Sequence, residues 1–155
     1  MKITKTSAAG INLIKKFEGF SSKPYPDPAT GGVPFTIGYG STYYEDGRKV
    51  TMADTPITED RATKLLAQLL DHYERGVDSL CRDDIGQNQF DALVCFAYNV
   101  GIGALKGSTL LKKLNVNPND PTIKDEFLRW NKAAGRVMKG LTKRRAEEAD
   151  LYFKR

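Results

Sequence analysis

Apolar residues recur at the spacing of a helix face in two long stretches of this chain. The first stretch, residues 6–19, places alanine, isoleucine and phenylalanine on one side. Ser7 or Thr6 can cap its start, and Gly19 can end it. The second stretch, residues 58–80, repeats leucine at the helical period and opens with acidic residues, which favour a helix start. The pattern therefore predicts an N-terminal helix over 6–19 and a long helix over 58–80.

The second half of the chain is also helical in pattern, with shorter helices. Residues 87–101, QNQFDALVCFAYNVG, are mostly apolar and predict a buried helix that Gly101 and Gly103 end. Further helices are predicted over 108–114, over 123–131 and in the C-terminal residues after the Gly140-Leu141 pair. Within these, Trp130 is interpreted as a core residue rather than a platform for a sugar.

Residues 20–50 interrupt this helical pattern with four of the chain's seven prolines and many aromatic residues. Short strands are predicted over 35–37 and 42–44. The Asp-Gly pair at 46–47 is typical of a tight hairpin turn, with a returning strand over 49–51. We therefore expect a small antiparallel sheet of two or three strands, confined to this part of the chain.

Together these elements predict an α+β fold that is mostly helical, within a single domain over 1–155. We expect a β-containing lobe over 18–57 and a connecting helix over 58–80. A helical lobe over 81–155 is expected to include the N-terminal helix. The 155 residues and the 40% hydrophobic composition suit one such domain with a core of its own.

The charge balance and the rare residue types narrow the functional classes. The formal net charge of +5 favours an anionic partner. Cys81 and Cys95 are the only cysteines and His72 is the only histidine, with no CxxC pair. This argues against a metal site, and no cofactor is expected. We interpret both cysteines as buried thiols in helices, and His72 as a surface residue.

The N-terminal residues do not resemble an export signal. The longest uncharged stretch, 6–14, contains threonine, serine, glycine and asparagine, and Lys15-Lys16 follow at once. A signal peptide or a membrane anchor needs a longer apolar run. We therefore expect a cytoplasmic chain without a stable membrane anchor. Zinc-finger, helix-turn-helix and RNP-like motifs are lacking, so no nucleic-acid partner is expected.

Two carboxylates near the N-terminus have the contrasting surroundings that glycoside hydrolysis needs. Glu18 falls in the last turn of the first predicted helix, where the helix dipole favours a protonated carboxyl that can act as an acid. Asp27 lies in the turn YPDP, where two prolines restrict the backbone and solvent favours the ionised form. Cleavage of a glycosidic bond without a metal uses one carboxylic acid and one carboxylate.

Each of these residues also has an ordinary structural interpretation. A glutamate near a helix end is usually a surface residue, and an aspartate before proline is often a turn former. Thr36, which precedes the glycine-rich Ile37–Gly40, could be an ordinary strand residue. The hypothesis therefore depends on the arrangement rather than on any single residue.

That arrangement resembles the phage-type, T4-lysozyme-like endolysins of glycoside hydrolase family 24. The resemblance rests on Glu18-Gly19, then Tyr25-x-Asp27, then Thr36-Ile-Gly-Tyr-Gly. It continues through residues 87–101, through Gly107-Ser-Thr-Leu-Leu, and through Trp130 followed by Gly140-Leu-x-x-Arg-Arg-x-x-Glu. It covers nearly the whole chain in the family's order. It implies a lysozyme-like fold, with a small antiparallel β lobe joined by a long helix to a helical lobe.

The resemblance implies a role for each motif residue. Glu18 is the general acid, Asp27 holds or activates water or stabilises the transition state, and Thr36 helps position that water for attack with inversion. The chain departs from the family in the eight residues, Pro28–Phe35, that separate Asp27 from Thr36, since the family commonly has fewer. Thr30 lies in this enlarged loop as an alternative, and Thr36 is preferred because the Ile-Gly-Tyr-Gly motif follows it directly.

Other residues are expected around the substrate. The candidate sugar-binding residues are Tyr39, Tyr98, Asn99, Ser108 and Thr109. For Tyr98, core packing is an equal alternative. The resemblance further suggests that either Arg144 or Arg145 approaches Glu18, while the alternative is that both lie on a solvated helix face.

The implied function is an endo-acting muramidase, a hydrolase of the β-1,4 bond between N-acetylmuramic acid and N-acetylglucosamine in peptidoglycan. The expected protein is a monomer that lyses the host of a bacteriophage. Because no export signal is visible, a holin would have to open the inner membrane before the enzyme reaches the wall. The alternatives are a lytic transglycosylase, against which Asp27 argues because that chemistry needs one acid/base only, and a non-catalytic wall-binding module.

Overall fold

The computed structural model describes residues 2–155, and these contain seven helices and four short strands. The helices are α1 (Ala8–Glu18), α2 (Glu59–Leu80), α3 (Gln87–Val100), α4 (Ile102–Gly107), α5 (Thr109–Val116), α6 (Ile123–Leu128) and α7 (Lys139–Tyr152). The strands are β1 (Ser21–Tyr25), β2 (Thr36–Gly38), β3 (Lys132–Ala133) and β4 (Arg136–Val137). This is the mostly helical α+β fold that the sequence predicted.

The chain divides into two compact units. One unit, Lys15–His72, is called the β unit here, and the other, which comprises the residues before Lys15 and those from Tyr73 onwards, is called the helical unit. The division falls inside α1 and inside α2, so each of these helices contributes residues to both units.

The β unit is built on the antiparallel pair β1–β2. Ser21 pairs with Gly38 and Tyr25 with Thr36, with an irregularity between the two pairs. Gly38 has a φ of +67°, and a Cβ at this position would lie 3.0 Å from the Cβ of Ala62 on α2. Only a glycine therefore allows the end of β2 to pack this closely on the helix.

The hairpin predicted after β2 exists as a hydrogen-bonded turn rather than as two strands. The amide of Tyr44 donates to the carbonyl of Arg48 at 2.9 Å, and the amide of Val50 donates to that of Thr42 at 3.0 Å. Only one isolated bridge, between Tyr43 and Lys49, joins its two sides in the described chain. The strand that pairs with β2 is instead β1, whose serines and proline lack the alternation of apolar and polar residues by which strands are predicted.

The helical unit is organised around α3. Residues Phe90 to Ala97 of this helix are all buried, and α7 packs against it. Phe96 meets Phe127 and Trp130 edge to face, with ring centroids 5.6 and 5.7 Å apart. The prediction of α3 is confirmed. Trp130 contacts the core through Phe96 but is itself only half-buried, so the interpretation of Trp130 as a core residue holds only in part.

Two predictions about this unit were wrong. The sheet is not confined to the β unit, because β3 and β4 pair here as a short antiparallel ribbon. Glycine and alanine occupy its turn, where Ala134 has a φ of +51°. Gly103 does not end α3, because Gly101 (φ +96°) ends it alone and α4 starts directly afterwards with Gly103 inside.

The expectations about helix ends and rare residues are confirmed in part. In residues 2–155 neither Thr6 nor Ser7 caps α1 with its side chain, because the Ser7 hydroxyl donates to Oδ2 of Asp91 and the Thr6 hydroxyl has no hydrogen-bond partner. The helix predicted over 123–131 ends at Leu128. The Thr58 hydroxyl accepts a hydrogen bond from the amide of Arg61 at 3.1 Å and thereby caps α2. His72 is exposed. Both cysteines are buried free thiols, but only Cys95 lies in a helix, because Cys81 comes just after the end of α2. Burial raises the pKa of Cys81 to about 12.

Within residues 2–155, no helix combines the length and the apolar character that crossing a membrane requires.

Candidate active site

Glu18 is the last residue of α1, as predicted. The amide of Gly19 closes this helix by donating to the carbonyl of Lys15 at 3.0 Å. Gly19 then takes a φ of +71°, which turns the chain sharply into β1. The Glu18 side chain is half-buried at this turn, so it is partly shielded from water and still reachable by a ligand.

Tyr25 connects Glu18 to the strand pair. Burial, followed by the negative charge of Glu18, raises the pKa of the Tyr25 hydroxyl. Tyr25 is also the residue directly opposite Thr36 in the ladder. Tyr25 therefore lies within electrostatic range of Glu18 and pairs with Thr36 at the end of the β1–β2 ladder.

Asp27 lies two residues beyond Tyr25, in a turn that its own backbone closes. Its amide donates to the carbonyl of Gly32 at 2.9 Å, and its carbonyl accepts from the amide of Gly31 at 2.7 Å. Its Oδ1 accepts from the amide of Ala29 at 2.8 Å, an Asx turn. Within residues 2–155, Oδ2 accepts no hydrogen bond, so this oxygen of the half-exposed carboxyl is available to a ligand or water.

The two candidate threonines differ in how their hydroxyls are engaged. The Thr30 hydroxyl donates to the carbonyl of Val33 at 2.9 Å and accepts from the amide of Gly32 at 3.2 Å, so both of its functions serve the loop. The Thr36 hydroxyl has one long contact, 3.5 Å to the carbonyl of Pro34. A hydroxyl that is only weakly bound can turn toward water, which supports Thr36 over Thr30.

Tyr39, a predicted sugar-binding residue, is only 6% exposed. Its hydroxyl donates to Oε1 of Glu59 at 2.8 Å, and the ammonium of Lys15 lies 5.3 Å from its ring centroid. Burial and this hydrogen bond raise the pKa of Tyr39, and the same hydrogen bond lowers the pKa of Glu59. Tyr39 thus links the last turn of α1, through Lys15, to the first residue of α2, Glu59, within the β unit. Its role in sugar binding stays a prediction.

The other predicted sugar-binding residues belong to the helical unit. The ring of Tyr98 packs edge to face on Tyr73, with centroids 5.1 Å apart. Thr109 is exposed at the first turn of α5. The buried Ser108 caps that helix, because its hydroxyl accepts from the amide of Leu111 at 3.1 Å and donates to the carbonyl of Leu105 at 2.7 Å.

Arg144 and Arg145 are buried rather than exposed on a solvated helix face. Both pair with Glu148, at 3.1 Å from Nε of Arg144 and 3.0 Å from Nη1 of Arg145. Arg144 also donates to the carbonyl of Cys95 at 3.0 Å, and Arg145 donates to the side-chain oxygen of Asn99. Glu18 belongs to the β unit and both arginines belong to the helical unit. The expectation that one of the arginines approaches Glu18 therefore stays a prediction.

Two residues beside the candidate site were missed as contributors when the sequence was interpreted. Tyr25 stood in the quoted Tyr-x-Asp motif without a role, and its position opposite Thr36 depends on a strand that the pattern did not predict. Glu59 was interpreted only as a favourable first-turn acid, and its bond to Tyr39 spans 20 residues. Such long-range pairs leave no periodic signal in the sequence.

The described residues contain no group of three or more histidine, cysteine, aspartate and glutamate side chains arranged to hold a metal ion. The candidate residues of the β unit supply a carboxyl at a helix end (Glu18), a carboxylate with one available oxygen (Asp27) and a weakly bound hydroxyl (Thr36). Such a set can donate a proton on one side of a bond and hold water on the other.

Comparison with protein families matches residues 15–148 to the model described as phage lysozyme. The chain is 49% identical to the endolysin of Bacillus phage B103 over 147 residues, which is 95% of this chain and 53% of that relative. The chain thus spans about half the length of this relative and of the endolysin of Bacillus phage PZA, of which it covers 54%.

Solved structures extend the likeness to the whole described fold. An endolysin from Escherichia coli O157:H7 phage FAHEc1 superposes with a TM-score of 0.87 at 33% identity, covering 99% of this chain and 96% of that one. The muramidase domain of SpmX from Asticaccaulis excentricus superposes with a TM-score of 0.82 at 31% identity, covering 99% and 100%. The predicted lysozyme-like fold is therefore confirmed.

Proposed function

Since this chain belongs to the phage lysozyme family, we propose that it is a muramidase of the endolysin class. It hydrolyses the β-1,4 bonds between N-acetylmuramic acid and N-acetylglucosamine in peptidoglycan. The observation that carries the proposal is the position of Tyr25, which feels the charge of Glu18, pairs with Thr36 across the strands and lies two residues before Asp27. The likeness to a muramidase domain supports the choice of bond.

Glu18 acts as the general acid. Its side chain is half-buried at the end of α1, close enough to Tyr25 for its charge to act on the hydroxyl. Fast hydrolysis of a glycosidic bond requires protonation of the leaving oxygen, and Glu18 supplies that proton. As the bond breaks, positive charge develops on the anomeric carbon, and the proton of the Glu18 carboxyl moves to the glycosidic oxygen, which leaves as a hydroxyl group.

Asp27 and Thr36 hold the attacking water. The available Oδ2 of Asp27 accepts a proton of that water, and the Thr36 hydroxyl supplies a second hydrogen bond. Water delivered from the face opposite the leaving group inverts the anomeric centre. NMR of the first product would show the α anomer, and a β anomer would instead indicate retention.

A lytic transglycosylase would cleave the same bond without using Asp27 to hold water. The closure of the Asp27 turn around a carboxylate with one available oxygen favours hydrolysis. Mass spectrometry of the products separates the two reactions, because only the transglycosylase leaves anhydro-muramic ends.

The proposal extends to partners and location. Peptidoglycan is the substrate, and the net charge of +5 speeds the encounter with an anionic wall. The enzyme works as a monomer, is made in the host cytoplasm and acts on the wall at phage release, after a holin has opened the inner membrane. Lysis on expression of this chain alone, without a holin or permeabilisation, would contradict that route.

Substitution of Glu18 by glutamine gives the decisive test. Clearing of permeabilised Gram-negative cells by Glu18→Gln is expected to be at least about 100-fold slower than by the wild type, because glutamine cannot donate the proton. Glu45→Gln is the matched control, since Glu45 is an exposed glutamate of the same unit that forms an ion pair with Arg61 on the surface. Equal clearing by both variants would refute the role of Glu18, and no clearing by the wild type would favour a binding module.

A further inference from the structure

The start of α1 is held by a carboxylate from another helix. Asp91 lies on α3 and is 0% exposed. Its Oδ1 accepts a hydrogen bond from the amide of Ser7 at 2.9 Å, and its Oδ2 accepts one from the Ser7 hydroxyl. Ser7 directly precedes Ala8, the first residue of α1. One buried side chain therefore binds two groups of the residue at which the helix begins, and we call Asp91 with these two bonds the Asp91 clamp.

The carboxylate of the clamp is itself fixed on α3. Nε2 of Gln87, which lies one turn earlier on this helix, donates to Oδ1 of Asp91 at 2.7 Å and to the carbonyl of Lys5 at 2.8 Å. Residues Phe90 to Ala97 of α3 are all buried, so Asp91 sits on a closely packed part of the helical unit. The start of α1 is thus attached to a rigid support.

Gly10 shows how closely α1 approaches this support. A Cβ at this position would lie 2.8 Å from Cβ and Cγ of Asp91 and 2.6 Å from Cγ2 of Thr6, well inside the contact distance of carbon atoms. Glycine weakens a helix interior relative to alanine, so its presence within the 11 residues of α1 needs a reason. The reason is the contact of the α1 backbone with Asp91, which leaves no room for a methyl group.

Glu18, the proposed acid, is the last residue of the helix that the clamp holds. The carbonyl of Ser7 accepts from the amide of Ile11 at 3.0 Å, so the clamped residue belongs to the hydrogen-bond series of α1. Glu18 follows Ser7 by about three turns, a rise of about 16 Å. Because backbone hydrogen bonds make a helix stiff over this length, a displacement or rotation of its first turn reaches its last turn.

From these contacts we propose that Asp91 is a positioning residue for Glu18. By holding Ser7, it fixes where α1 lies along its axis and how it is rotated about that axis, and through the helix it directs the Glu18 carboxyl. An acid must lie within hydrogen-bonding distance of the leaving oxygen, so a shift of about 1 Å greatly slows proton transfer. The proposal rests on the proposed function and deepens it, since it adds to the proton donor a buried residue that directs it.

The test separates positioning from stability by the constant that changes. Asp91→Ala removes the clamp, and we expect kcat on soluble peptidoglycan fragments to fall about tenfold while KM changes less than about twofold. Glu126→Ala is the matched control, because Glu126 is also a buried carboxylate of the helical unit and pairs with Lys113 at 2.8 Å and with Arg129 at 3.3 Å. Both variants should lower the midpoint of urea unfolding, but Glu126→Ala should keep the wild-type kcat.

Two further variants change the clamp in other ways. Asp91→Asn keeps an oxygen for the Ser7 amide and gains a donor for the Ser7 hydroxyl, so it is expected to retain at least about half of the wild-type kcat. Gly10→Ala leaves the hydrogen-bonding groups in place but pushes α1 away from Asp91, so it is expected to lower kcat in the same way as Asp91→Ala. Gly10→Ala also decides the question if Asp91→Ala does not fold.

Three outcomes would overturn the proposal. A wild-type kcat in Asp91→Ala, or equal losses in Asp91→Ala and Glu126→Ala, would make Asp91 a structural residue only. A loss in Asp91→Asn as large as in Asp91→Ala would mean that the charge matters and the hold on Ser7 does not. Failure of the proposed function is seen separately, as a wild type without muramidase activity. In that case NMR decides, because the amide signals of Glu18 and Gly19 should shift in Asp91→Ala and return in Asp91→Asn, and unshifted signals refute the proposal.

Discussion

The carboxyl groups of Asp27 and Glu148 lie in opposite surroundings. Asp27 is half-exposed in a turn of the β unit, uses one oxygen to hold that turn and leaves the other without a hydrogen bond from the described chain. Glu148 is 0% exposed on α7, and the guanidinium groups of Arg144 and Arg145 lie within 3.1 Å of it. Burial raises the pKa of Glu148, and the two arginines oppose that rise.

The difference separates charges that serve chemistry from charges that serve the fold. An acidic group that binds a ligand must keep one oxygen without a hydrogen bond from the protein. The free-energy cost of doing so is small only where water can bind that oxygen in the free protein. A buried carboxylate has no such substitute, so its bonds must come from the chain itself. A carboxylate can therefore be assigned to function or to structure according to whether the protein itself bonds both of its oxygens.

The largest effect on stability is expected from removing Glu148. Glu148→Ala leaves the guanidinium groups of Arg144 and Arg145 buried without their counter-charge, which typically costs about 3–5 kcal/mol. Chemical denaturation should show this as a lower free energy of unfolding. Asp150→Ala is the matched control, because Asp150 is an exposed acid on the same helix. A loss below about 1 kcal/mol in Glu148→Ala would show that this ionic cluster does not hold the helical unit together.

Asp27→Asn is expected to separate activity from stability. The amide retains an oxygen for the turn but cannot act as the anion that holds water, so hydrolysis should fall about 100-fold or more. The free energy of unfolding should stay within about 0.5 kcal/mol of the wild type. Asp46→Asn is the matched control, because Asp46 accepts from the amide of Arg48 at 2.9 Å in a turn of the same kind. Loss of the cooperative thermal transition in Asp27→Asn would make Asp27 a structural residue.

The carboxyl group of Asp54 extends the comparison of Asp27 with Glu148, because its contribution to stability is expected to depend on pH. Asp54 accepts hydrogen bonds from the amide and hydroxyl of Thr51, the hydroxyl of Tyr44 and the guanidinium of Arg48. These bonds, led by those from Thr51, hold the pKa of Asp54 well below its ordinary value. Because the folded pKa is the lower one, the stabilisation is present above the unfolded value of about 4 and is lost as the pH falls further.

Thermal melts of the wild type and Asp54→Asn between about pH 2 and 7 check this reasoning. The wild type should melt higher above about pH 5, and the gap should shrink progressively below about pH 4. The expected gap is smaller than that of Glu148→Ala, because the Asp54 turn is near the surface. A gap that is constant with pH would mean that the Asp54 charge contributes nothing to stability.

The sequence was sufficient for the features that depend on local pattern. The long leucine series placed α2, and the apolar run placed α3, because burial of one face imposes a period that can be counted. β1 was missed because it is half-buried and contains Pro24, so it lacks the alternating pattern. Its pairing with β2 is nonetheless what brings Tyr25 opposite Thr36. The members of the candidate site were thus named from the motif, whereas their grouping depends on a pairing that only the structure contains.

The smallest effects are expected at two hydroxyl caps that differ in burial. Thr58 caps α2 at an exposed position, and Ser108 caps α5 while only 3% exposed. Replacement by alanine should cost about 1 kcal/mol for Thr58 and about 2 kcal/mol for Ser108, because a buried amide that loses its partner cannot turn to water. Denaturant unfolding of both variants measures the difference. If Ser108→Ala unfolds like the wild type and instead raises the KM for peptidoglycan, its hydroxyl belongs to the substrate site and not to the fold.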